Sequence, residues 1–466
     1  MVLWFFRMPW SIPRAIRNVL TNKSNLIDFH PRELLAKFDP AIKLTVKQSS
    51  RLTTSRQRRC RGRFFMYEEH RGAASTDMSS RDDYDDDDSP TISVSPNEFA
   101  NLLHRRVDVS TRHYYWTSPV ADVAPHLSSI FNEHVHLLHK STDKSLLDPR
   151  GPSLWLGTSG SGTQCHYDVA NNVILQLHGS KRVRVWRPSD GVYRLHTYPD
   201  AHPRARKSQV DLDINNDDDN SSHRLRYPHY YCTNTPIQPI LDVLLRPGDA
   251  LYLPAFWFHH VENGFFPGVL SGVNTDDAID GPSVSLNSFA LSKPMMIARK
   301  IFSSASRPID TIAFHEVDGT IERRHRRILA VLGALGTQLI RELNVIDYGE
   351  ELKFIRKYLL EARYTPLVID DENKNSNRTT NEPLSWREVH KYDLTNEQHL
   401  FVESCIKRIL PDFKQLLDSS HIDDGSDGVG IALLVALHLL ELWAVEIVGP
   451  TLVAKAWDDV TYVNGK

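Results

Sequence analysis

The sequence predicts a mainly β core with flanking α-helices and a helical C-terminal region. Two patterns indicate this fold class. Between residues 155 and 274, short apolar runs end at glycine or proline, and one of them alternates polar with apolar residues, which is typical of strands. After about Ser292, apolar residues recur at spacings of three and four, as they do on one face of a helix. A length of 466 residues also predicts two or three domains.

The composition is that of a globular protein that can bury a sizeable core, with 41% hydrophobic and 24% charged residues. The 55 basic and 58 acidic residues leave a net charge of -3, which excludes a polycation built for nucleic acid. Collagen-like, wholly disordered and membrane classes are excluded as well. The four cysteines form no Cys-x-x-Cys pair, so nitrogen and oxygen should hold any metal.

We divide the chain into four parts. Residues 1–70 are predicted to pack on the core as an N-terminal segment, and 71–94 to be an acidic disordered linker or insertion. Residues 95–292 form the β domain and 293–466 the helical C-terminal region. The β domain opens with Ser95-Pro96-Asn97-Glu98, a capping-box start for a short helix.

Two charged features precede the β domain. Four basic residues occur before the first acid, Asp28, which is typical of an organellar presequence; the alternative is a helix whose aromatic side chains dock on the core. Six arginines within 51–63 are followed by an aspartate run at 82–88. Such blocks are usually solvated.

Several elements can be placed from their local pattern. Strands are predicted at 173–177, ending before Gly179, and at 182–186, ending before Pro188. LLRPGDALYLP predicts two strands around a Pro-Gly-Asp turn. Amphipathic helices are predicted in GTIERRHRRILAVLGALGTQLIREL, in ELKFIRKYLLEARY and around 396–418 and 427–448. The apolar run 428–440 is shorter than the roughly 18 residues of a membrane span, so we expect a buried or interface helix.

One constellation points to metal chemistry. His166 and Asp168 lie two residues apart on a predicted strand, so their side chains share a face and supply two of the three groups of a facial triad. His259 lies ninety-three residues after His166. It directly follows three aromatic residues, Phe256, Trp257 and Phe258, which come after a predicted apolar strand. Lys181 lies between them and could provide a fixed cation for a dicarboxylate.

The chain resembles the JmjC/cupin-like family of Fe(II)- and 2-oxoglutarate-dependent oxygenases, most closely the asparaginyl-hydroxylase branch typified by the factor inhibiting HIF. The resemblance rests on GTSGSGTQCHYDVANNVILQLHGSKRVRVWRPSD, RPGDALYLPAFWFHHVEN and SGVNTDD, with HPRARKSQVDLD as a further similar stretch. It covers about residues 155–275. It implies a double-stranded β-helix of the jelly-roll or cupin type, and makes 95–292 the catalytic domain.

The resemblance makes His166, Asp168 and His259 the iron ligands. The ligand in this family is the first histidine after the aromatic residues, which disfavours His260.

Five further residues match positions that the family uses for the cosubstrate. Thr163 and Lys181 match the hydroxyl and the ammonium that bind 2-oxoglutarate, and Asn172 and Asn274 match two pocket asparagines. Tyr115 matches, more loosely, a tyrosine that reaches the same carboxylate.

The implied reaction is hydroxylation of a substrate C–H bond, coupled to decarboxylation of 2-oxoglutarate to succinate, with O2 as oxidant and ascorbate in support. The expected substrate is a side chain of a partner protein. The alternatives are a tRNA- or RNA-modifying hydroxylase, to which the arginines of 51–63 would contribute, a histone lysyl demethylase, and a non-catalytic cupin-like binding module.

The resemblance also implies a homodimer through the C-terminal helices. We expect no membrane partner. The expected location is the cytoplasm, the nucleus or both, with mitochondria as the alternative raised by the basic N-terminus.

Overall fold

The computed structural model describes the following residues: 12–17, 19, 29–48, 64–65, 91–104, 113–128, 131, 146–210, 212, 220–231, 237–264, 281–305, 321–367, 394–418 and 427–461. The chain divides into two compact units. Unit 1 comprises 1–186, 211–215 and 238–292, and unit 2 comprises 187–210, 216–237 and 293–466. Unit 2 therefore groups two segments from inside the 95–292 region with the helical C-terminal region.

Unit 1 contains all the strands of the described residues, in two sheets. They are β1 (Arg14–Ile16), β2 (Leu44–Gln48), β3 (Phe64–Phe65), β4 (Thr91–Val94), β5 (Tyr114–Pro119), β6 (Ser153–Gly157), β7 (Ser161–Tyr167), β8 (Ala170–His178), β9 (Lys181–Trp186), β10 (Leu241–Leu245), β11 (Ala250–Leu253), β12 (Phe258–Asn263) and β13 (Ser283–Leu291).

The larger sheet has the order β1-β11-β8-β13-β6-β5-β2-β4, and the smaller sheet β10-β9-β12-β7-β3. All neighbours are antiparallel except β3 and β7. This architecture of antiparallel sheets around a β-sandwich core, with flanking helices and a helical C-terminal region, confirms the predicted fold class.

The strand predictions within the core are confirmed. The predicted strands at 173–177 and 182–186 lie in β8 and β9, and β8 ends at His178, just before Gly179, whose positive φ of 66° suits glycine. The strands on either side of the Pro-Gly-Asp turn are β10 and β11. They do not pair with each other: β10 pairs with β9 in the smaller sheet and β11 with β8 in the larger one. The turn therefore carries the chain from one sheet to the other.

Two apolar clusters hold unit 1 together. One includes the inward-facing side chains Ile174, Val183, Val185, Leu251 and Trp257, which lie on strands of both sheets or next to one. The other covers the opposite face of the larger sheet with helices α1 (Pro31–Leu35), α2 (Pro96–Leu103) and α3 (Val120–Val123), and with a short 3-10 turn at Pro125–Leu127. Strand β8 belongs to both clusters, so it is buried on both faces.

The predicted capping box at the start of the β domain is present. Ser95 Oγ accepts a hydrogen bond from the Glu98 backbone N–H, and the Glu98 carboxylate accepts from the Ser95 N–H at 2.7 Å. Immediately before it, Thr91–Val94 is strand β4, paired with β2, although the sequence places these residues at the end of the acidic linker. Alternating Ile92 and Val94 pack on the core, and this burial outweighs the polar context.

Unit 2 is helical. Its helices are α4 (Pro188–Tyr193), α5 (Asn220–Arg226), α6 (Lys293–Ala305), α7 (Ile321–Leu343), α8 (Glu351–Ile355), α9 (Asn396–Asp418), α10 (Gly428–Val448) and α11 (Val453–Thr461). Helix α8 continues as a π-helix at Arg356–Tyr364, which periodicity does not predict. Helix α10 is long and apolar enough to cross a membrane by length and composition, but 67% of its most apolar window is buried inside the protein.

Several predicted features lie outside the described residues. They are most of the basic N-terminus, the arginines of 51–63 and the aspartates of 82–88.

Candidate active site

Three potential metal ligands meet on two adjacent strands of unit 1. His166 lies in β7, Asp168 follows that strand, and His259 lies in β12 directly opposite His166. Their ligand atoms are all within 4.8 Å of one another. The Asp168 carboxylate lies 3.9 Å from His166 Nε2 and 3.7 Å from His259 Nε2. Antiparallel register thus joins residues that are far apart in the chain.

Backbone carbonyls orient both imidazoles. His166 Nδ1 lies 2.8 Å from the Gln164 carbonyl oxygen, and His259 Nδ1 lies 3.0 Å from the Trp257 carbonyl oxygen. Because a carbonyl oxygen only accepts, each Nδ1 is the donor, which leaves each Nε2, on the side of Asp168, available to bind a metal. Two imidazole nitrogens and one carboxylate oxygen match the donor set of non-haem Fe(II) sites, so the residues present fit this metal.

The neighbouring histidine belongs to a different environment. His260 is buried, and its Nε2 lies 3.4 Å from the Glu262 carboxylate. Among the described residues, the cluster of three potential ligands contains His259 and does not include His260.

Seven of the eight predicted site residues line one pocket of unit 1, whose empty space is about 410 Å³ with the open solvent at its mouth included. Those seven are Tyr115, Thr163, His166, Asp168, Asn172, Lys181 and His259. The eighth, Asn274, lies outside the described residues. The remaining lining residues, which the sequence analysis missed, are Trp155, Ile174, Val261, Asn287 and Phe289.

Lys181 is the buried cation of this cavity. It is 3% exposed, and its ammonium donates a hydrogen bond to Ser285 Oγ at 2.5 Å. Burial lowers the pKa of Lys181 to about 7, with no carboxylate among the described residues to oppose the shift. A buried ammonium whose hydrogen-bond partner is a neutral hydroxyl is suited to an anionic ligand.

Tyr115 on β5 of the larger sheet and Thr163 on β7 of the smaller sheet line the same cavity. The Tyr115 hydroxyl is hydrogen-bonded to Thr163 and Asn263, and burial raises the pKa of Tyr115 to about 12, so the phenol stays protonated. Gly157 makes room for this ring, because a Cβ there would lie 2.6 Å from Tyr115 Cδ2. The cavity therefore keeps a neutral hydroxyl pair.

Asn287 is the most informative residue that was missed. Strand β13 places it against β8, where its side-chain amide N–H donates to Asn172 Oδ1 at 3.4 Å. The resemblance implies two asparagines in this pocket, Asn172 and Asn274. Among the described residues, the asparagine that lies beside Asn172 is Asn287. The alternating run SVSLNSFAL could have indicated a strand with Asn287 on its inner face.

The comparisons with known proteins agree with this geometry. Residues 11–289, more than half of the chain, match the family described as cupin-like domain. The chain belongs to the cupin-like domain family. Dependence on Fe(II) and 2-oxoglutarate is typical of this family, and its JmjC-type members are generally oxygenases or demethylases.

Two relatives illustrate the range of the family. JmjC domain-containing protein F of Dictyostelium discoideum is 29% identical over 123 residues, which is 24% of this chain and 24% of that protein. tRNA wybutosine-synthesizing protein 5 of Danio rerio is 36% identical over 95 residues, 20% of this chain and 24% of that protein. The chain therefore covers about a quarter of the length of these curated relatives.

Among solved structures, Escherichia coli ycfD is similar at 12% identity. The match covers 76% of this chain and 65% of that chain, with a TM-score of 0.33.

Proposed function

We propose that this cupin-like protein is an Fe(II)- and 2-oxoglutarate-dependent dioxygenase of the asparaginyl-hydroxylase type that hydroxylates a side chain of a protein substrate. The reaction consumes one C–H bond, O2 and 2-oxoglutarate, and yields the alcohol, succinate and CO2. One observation carries the proposal: a single cavity contains the His-Asp-His cluster and a buried lysine that has no carboxylate partner among the described residues.

In this proposal His166, Asp168 and His259 would hold the Fe(II), leaving positions for the cosubstrate. When bound, the metal supplies activation of O2, which no side chain can provide. The backbone contacts of both histidine Nδ1 atoms orient the imidazoles so that Nε2 is the atom available to the metal.

The other cavity residues would bind and orient the cosubstrate. The Lys181 ammonium neutralises the distal carboxylate of 2-oxoglutarate, and the Thr163 and Tyr115 hydroxyls hydrogen-bond to it. Asn172 offers an amide from β8 of the larger sheet. Trp155 and Phe289 add apolar surface that excludes water around the reacting centre.

An RNA substrate is the second candidate. The similar zebrafish protein is named for tRNA wybutosine synthesis. The arginines of 51–63 provide a local positive charge that the net charge of -3 conceals. A demethylase or a non-catalytic binding module are the remaining alternatives.

The test begins with turnover in the absence of a substrate. Purified protein with Fe(II), ascorbate and labelled 2-oxoglutarate should release CO2 and succinate slowly. His166→Ala and Asp168→Ala should abolish this release and metal binding, whereas the matched control His260→Ala should keep both. Neither metal binding nor turnover in the folded wild type would overturn the enzyme assignment.

Substrate class is then decided by mass. The enzyme is incubated separately with a protein extract and with total tRNA. If the substrate is a protein, peptides from the extract should gain the mass of one oxygen atom. The same gain in tRNA nucleosides alone would favour the RNA candidate, and loss of methyl groups from histone peptides would favour the demethylase.

The assembly and the location of the protein are further proposals. We propose a homodimer through the C-terminal helices; because α10 is largely buried within unit 2, the exposed side chains Leu400 and Leu452 are better placed to make contact. A monomer in sedimentation at micromolar concentration would contradict this. We propose a cytoplasmic or nuclear location, and redirection of a fluorescent protein to mitochondria by residues 1–28 would contradict it.

A further inference from the structure

A line of hydrogen bonds crosses the inner face of unit 1 from the buried cation to the pocket asparagines. Lys181 Nζ lies 2.5 Å from Ser285 Oγ, and Ser285 Oγ lies 3.4 Å from Asn287 Oδ1. Asn287 Nδ2 lies 3.4 Å from Asn172 Oδ1. All four side chains are buried, at 6% exposure or less. The line runs over three strands, β9, β13 and β8, from both sheets.

The donors and acceptors along this line all run in one direction. A lysine ammonium can only donate, so the Ser285 oxygen must accept from it. The Ser285 hydroxyl proton is then directed to Asn287 Oδ1, which leaves the Asn287 amide N–H groups to donate to Asn172. By accepting this proton, Asn287 fixes the orientation of the Ser285 hydroxyl, so that a lone pair of Ser285 Oγ faces the Lys181 ammonium.

This arrangement leaves the ammonium held but not neutralised. Burial of a cation against a single neutral acceptor costs free energy. Binding of a ligand anion would offset this cost. The hydroxyl accepts from one of the three N–H donors of Lys181, which leaves two donors for a ligand in the cavity that the lysine lines.

We propose that Ser285 is a positioning residue that fixes the Lys181 ammonium for recognition of the distal carboxylate of the cosubstrate. This inference rests on the proposed function, since it concerns the same cavity. Ser285 itself would not touch the reacting atoms. Its effect on binding should therefore appear only with ligands that carry the distal carboxylate.

The experiment compares two variants with two ligands. Ser285→Ala removes the hydroxyl acceptor, and Ser283→Ala is the matched control. Ser283 lies two residues away on the same face of β13 and is buried, but its hydroxyl accepts from Gln176 rather than from Lys181. The ligands are 2-oxoglutarate and 2-oxovalerate, which has the same chain length but a methyl group in place of the distal carboxylate.

Binding is measured by calorimetry with Mn²⁺ in place of Fe²⁺, so that no turnover occurs, and KM and kcat are measured with Fe(II). In Ser285→Ala, the Kd and KM for 2-oxoglutarate should rise about tenfold, because an ionic hydrogen bond is lost, with kcat changed much less. The Kd for 2-oxovalerate should be unchanged, and Ser285→Thr should restore 2-oxoglutarate binding.

The outcomes separate this inference from the proposed function. Equal weakening of both ligands by Ser285→Ala, or an equal effect of Ser283→Ala on 2-oxoglutarate, would show that the hydroxyl acts through packing alone and overturn the inference. No effect of Ser285→Ala on a wild type that binds and turns over 2-oxoglutarate would also overturn it. A wild type that binds no 2-oxoglutarate at all would instead overturn the proposed function.

Discussion

Lys181 of unit 1 and Arg363 of unit 2 are both buried cationic side chains, but of these two only Arg363 has a carboxylate partner among the described residues. In unit 1, Lys181 meets a serine hydroxyl and lines a cavity. In unit 2, Arg363 on the π-helix forms an ion pair with Glu441 on α10 at 3.1 Å, with both side chains 3% exposed or less.

The unit 2 pair is embedded in further hydrogen bonds. Arg363 Nη2 donates to the Tyr198 carbonyl oxygen at 3.0 Å, and the Asp200 backbone N–H donates to Glu441 Oε2 at 2.7 Å. The Gln209 side chain donates to the Arg363 carbonyl oxygen at 2.8 Å. The network ties the 197–209 segment to two helices of the same unit.

The difference separates a structural role from a binding role. A buried ion pair that is held by further hydrogen bonds to the backbone specifies one arrangement of the chain, and its two charges already compensate each other. A buried ammonium among hydroxyls and amides is a cost to folding that a ligand carboxylate can offset. Replacement of each cation by methionine, which has similar bulk and no charge, tests this distinction.

The largest stability effect is expected in unit 2. Arg363→Met leaves the Glu441 carboxylate buried without its partner and should reduce the free energy of unfolding by about 3–5 kcal/mol. This loss should be measurable by circular dichroism as a lower melting temperature of Arg363→Met. Arg363→Met combined with Glu441→Leu should recover most of the loss, and a double variant as unstable as the single one would contradict a structural ion pair.

Replacement of the unit 1 cation by methionine should reduce ligand affinity strongly and stability little. Lys181→Met should weaken 2-oxoglutarate binding about 100-fold, since the distal carboxylate loses its only proposed cation, without lowering the melting temperature of the ligand-free protein. Calorimetry and circular dichroism on one preparation measure both quantities. A strongly destabilised Lys181→Met with unchanged affinity would reverse the comparison.

Burial lowers the pKa of Lys181 to about 7, which predicts a pH dependence. Above this pH Lys181 is mostly neutral when the pocket is empty, so binding of the dicarboxylate must be accompanied by uptake of a proton. The affinity should therefore fall by up to about tenfold per pH unit. The free energy of unfolding of the ligand-free protein should rise between pH 7 and 10.5, because there the unfolded chain holds the proton that folded Lys181 has lost.

Calorimetric titrations from pH 6 to pH 9, as round values about the pKa of Lys181, measure this linkage. Lys181→Arg serves as the control, since an arginine stays charged throughout this range. Its affinity should be lower than that of the wild type but nearly independent of pH. An equally steep profile in Lys181→Arg would assign the proton to another group.

The smallest effect is expected for an exposed pair. Glu403 and Lys407, one turn apart on α9, lie 3.2 Å from each other with side chains at least half exposed. Removal of either charge should change the free energy of unfolding by about 0.5 kcal/mol or less and disappear in high salt. A loss comparable to that of Arg363→Met would show that burial is not what distinguishes these pairs.

Much of the fold could be predicted because the determining signals are local. Alternation over 182–186, the Pro-Gly-Asp turn, the Ser95–Glu98 capping box and the apolar periodicity of the C-terminal helices each depend on neighbouring residues. Strand β4 was not predicted, because its short alternating run follows an acidic stretch and its stability comes from pairing with β2. The π-helix at 356–364 has the same apolar spacing as an α-helix and could not be told from one.

The candidate site shows the same division. His166, Asp168, His259 and Lys181 were predicted from their spacing on strands and from the family resemblance. Asn287 and Ser285 were missed, since their importance depends on the pairing of β13 with β8 and on proximity to β9. A serine and an asparagine in an ordinary strand carry no local signal of function.

The sequence by itself determined most of the central strands and C-terminal helices, and which residue types can bind a metal and an anion, because hydrophobic periodicity and side-chain chemistry are properties of the chain. Only the tertiary structure decided which of these residues meet. Register places His259 opposite His166, and the two sheets bring the Lys181 ammonium to the Ser285 hydroxyl. The physical reason is that antiparallel pairing and sheet packing join residues far apart in sequence, and these contacts alone determine whether a buried charge is neutralised or left for a ligand.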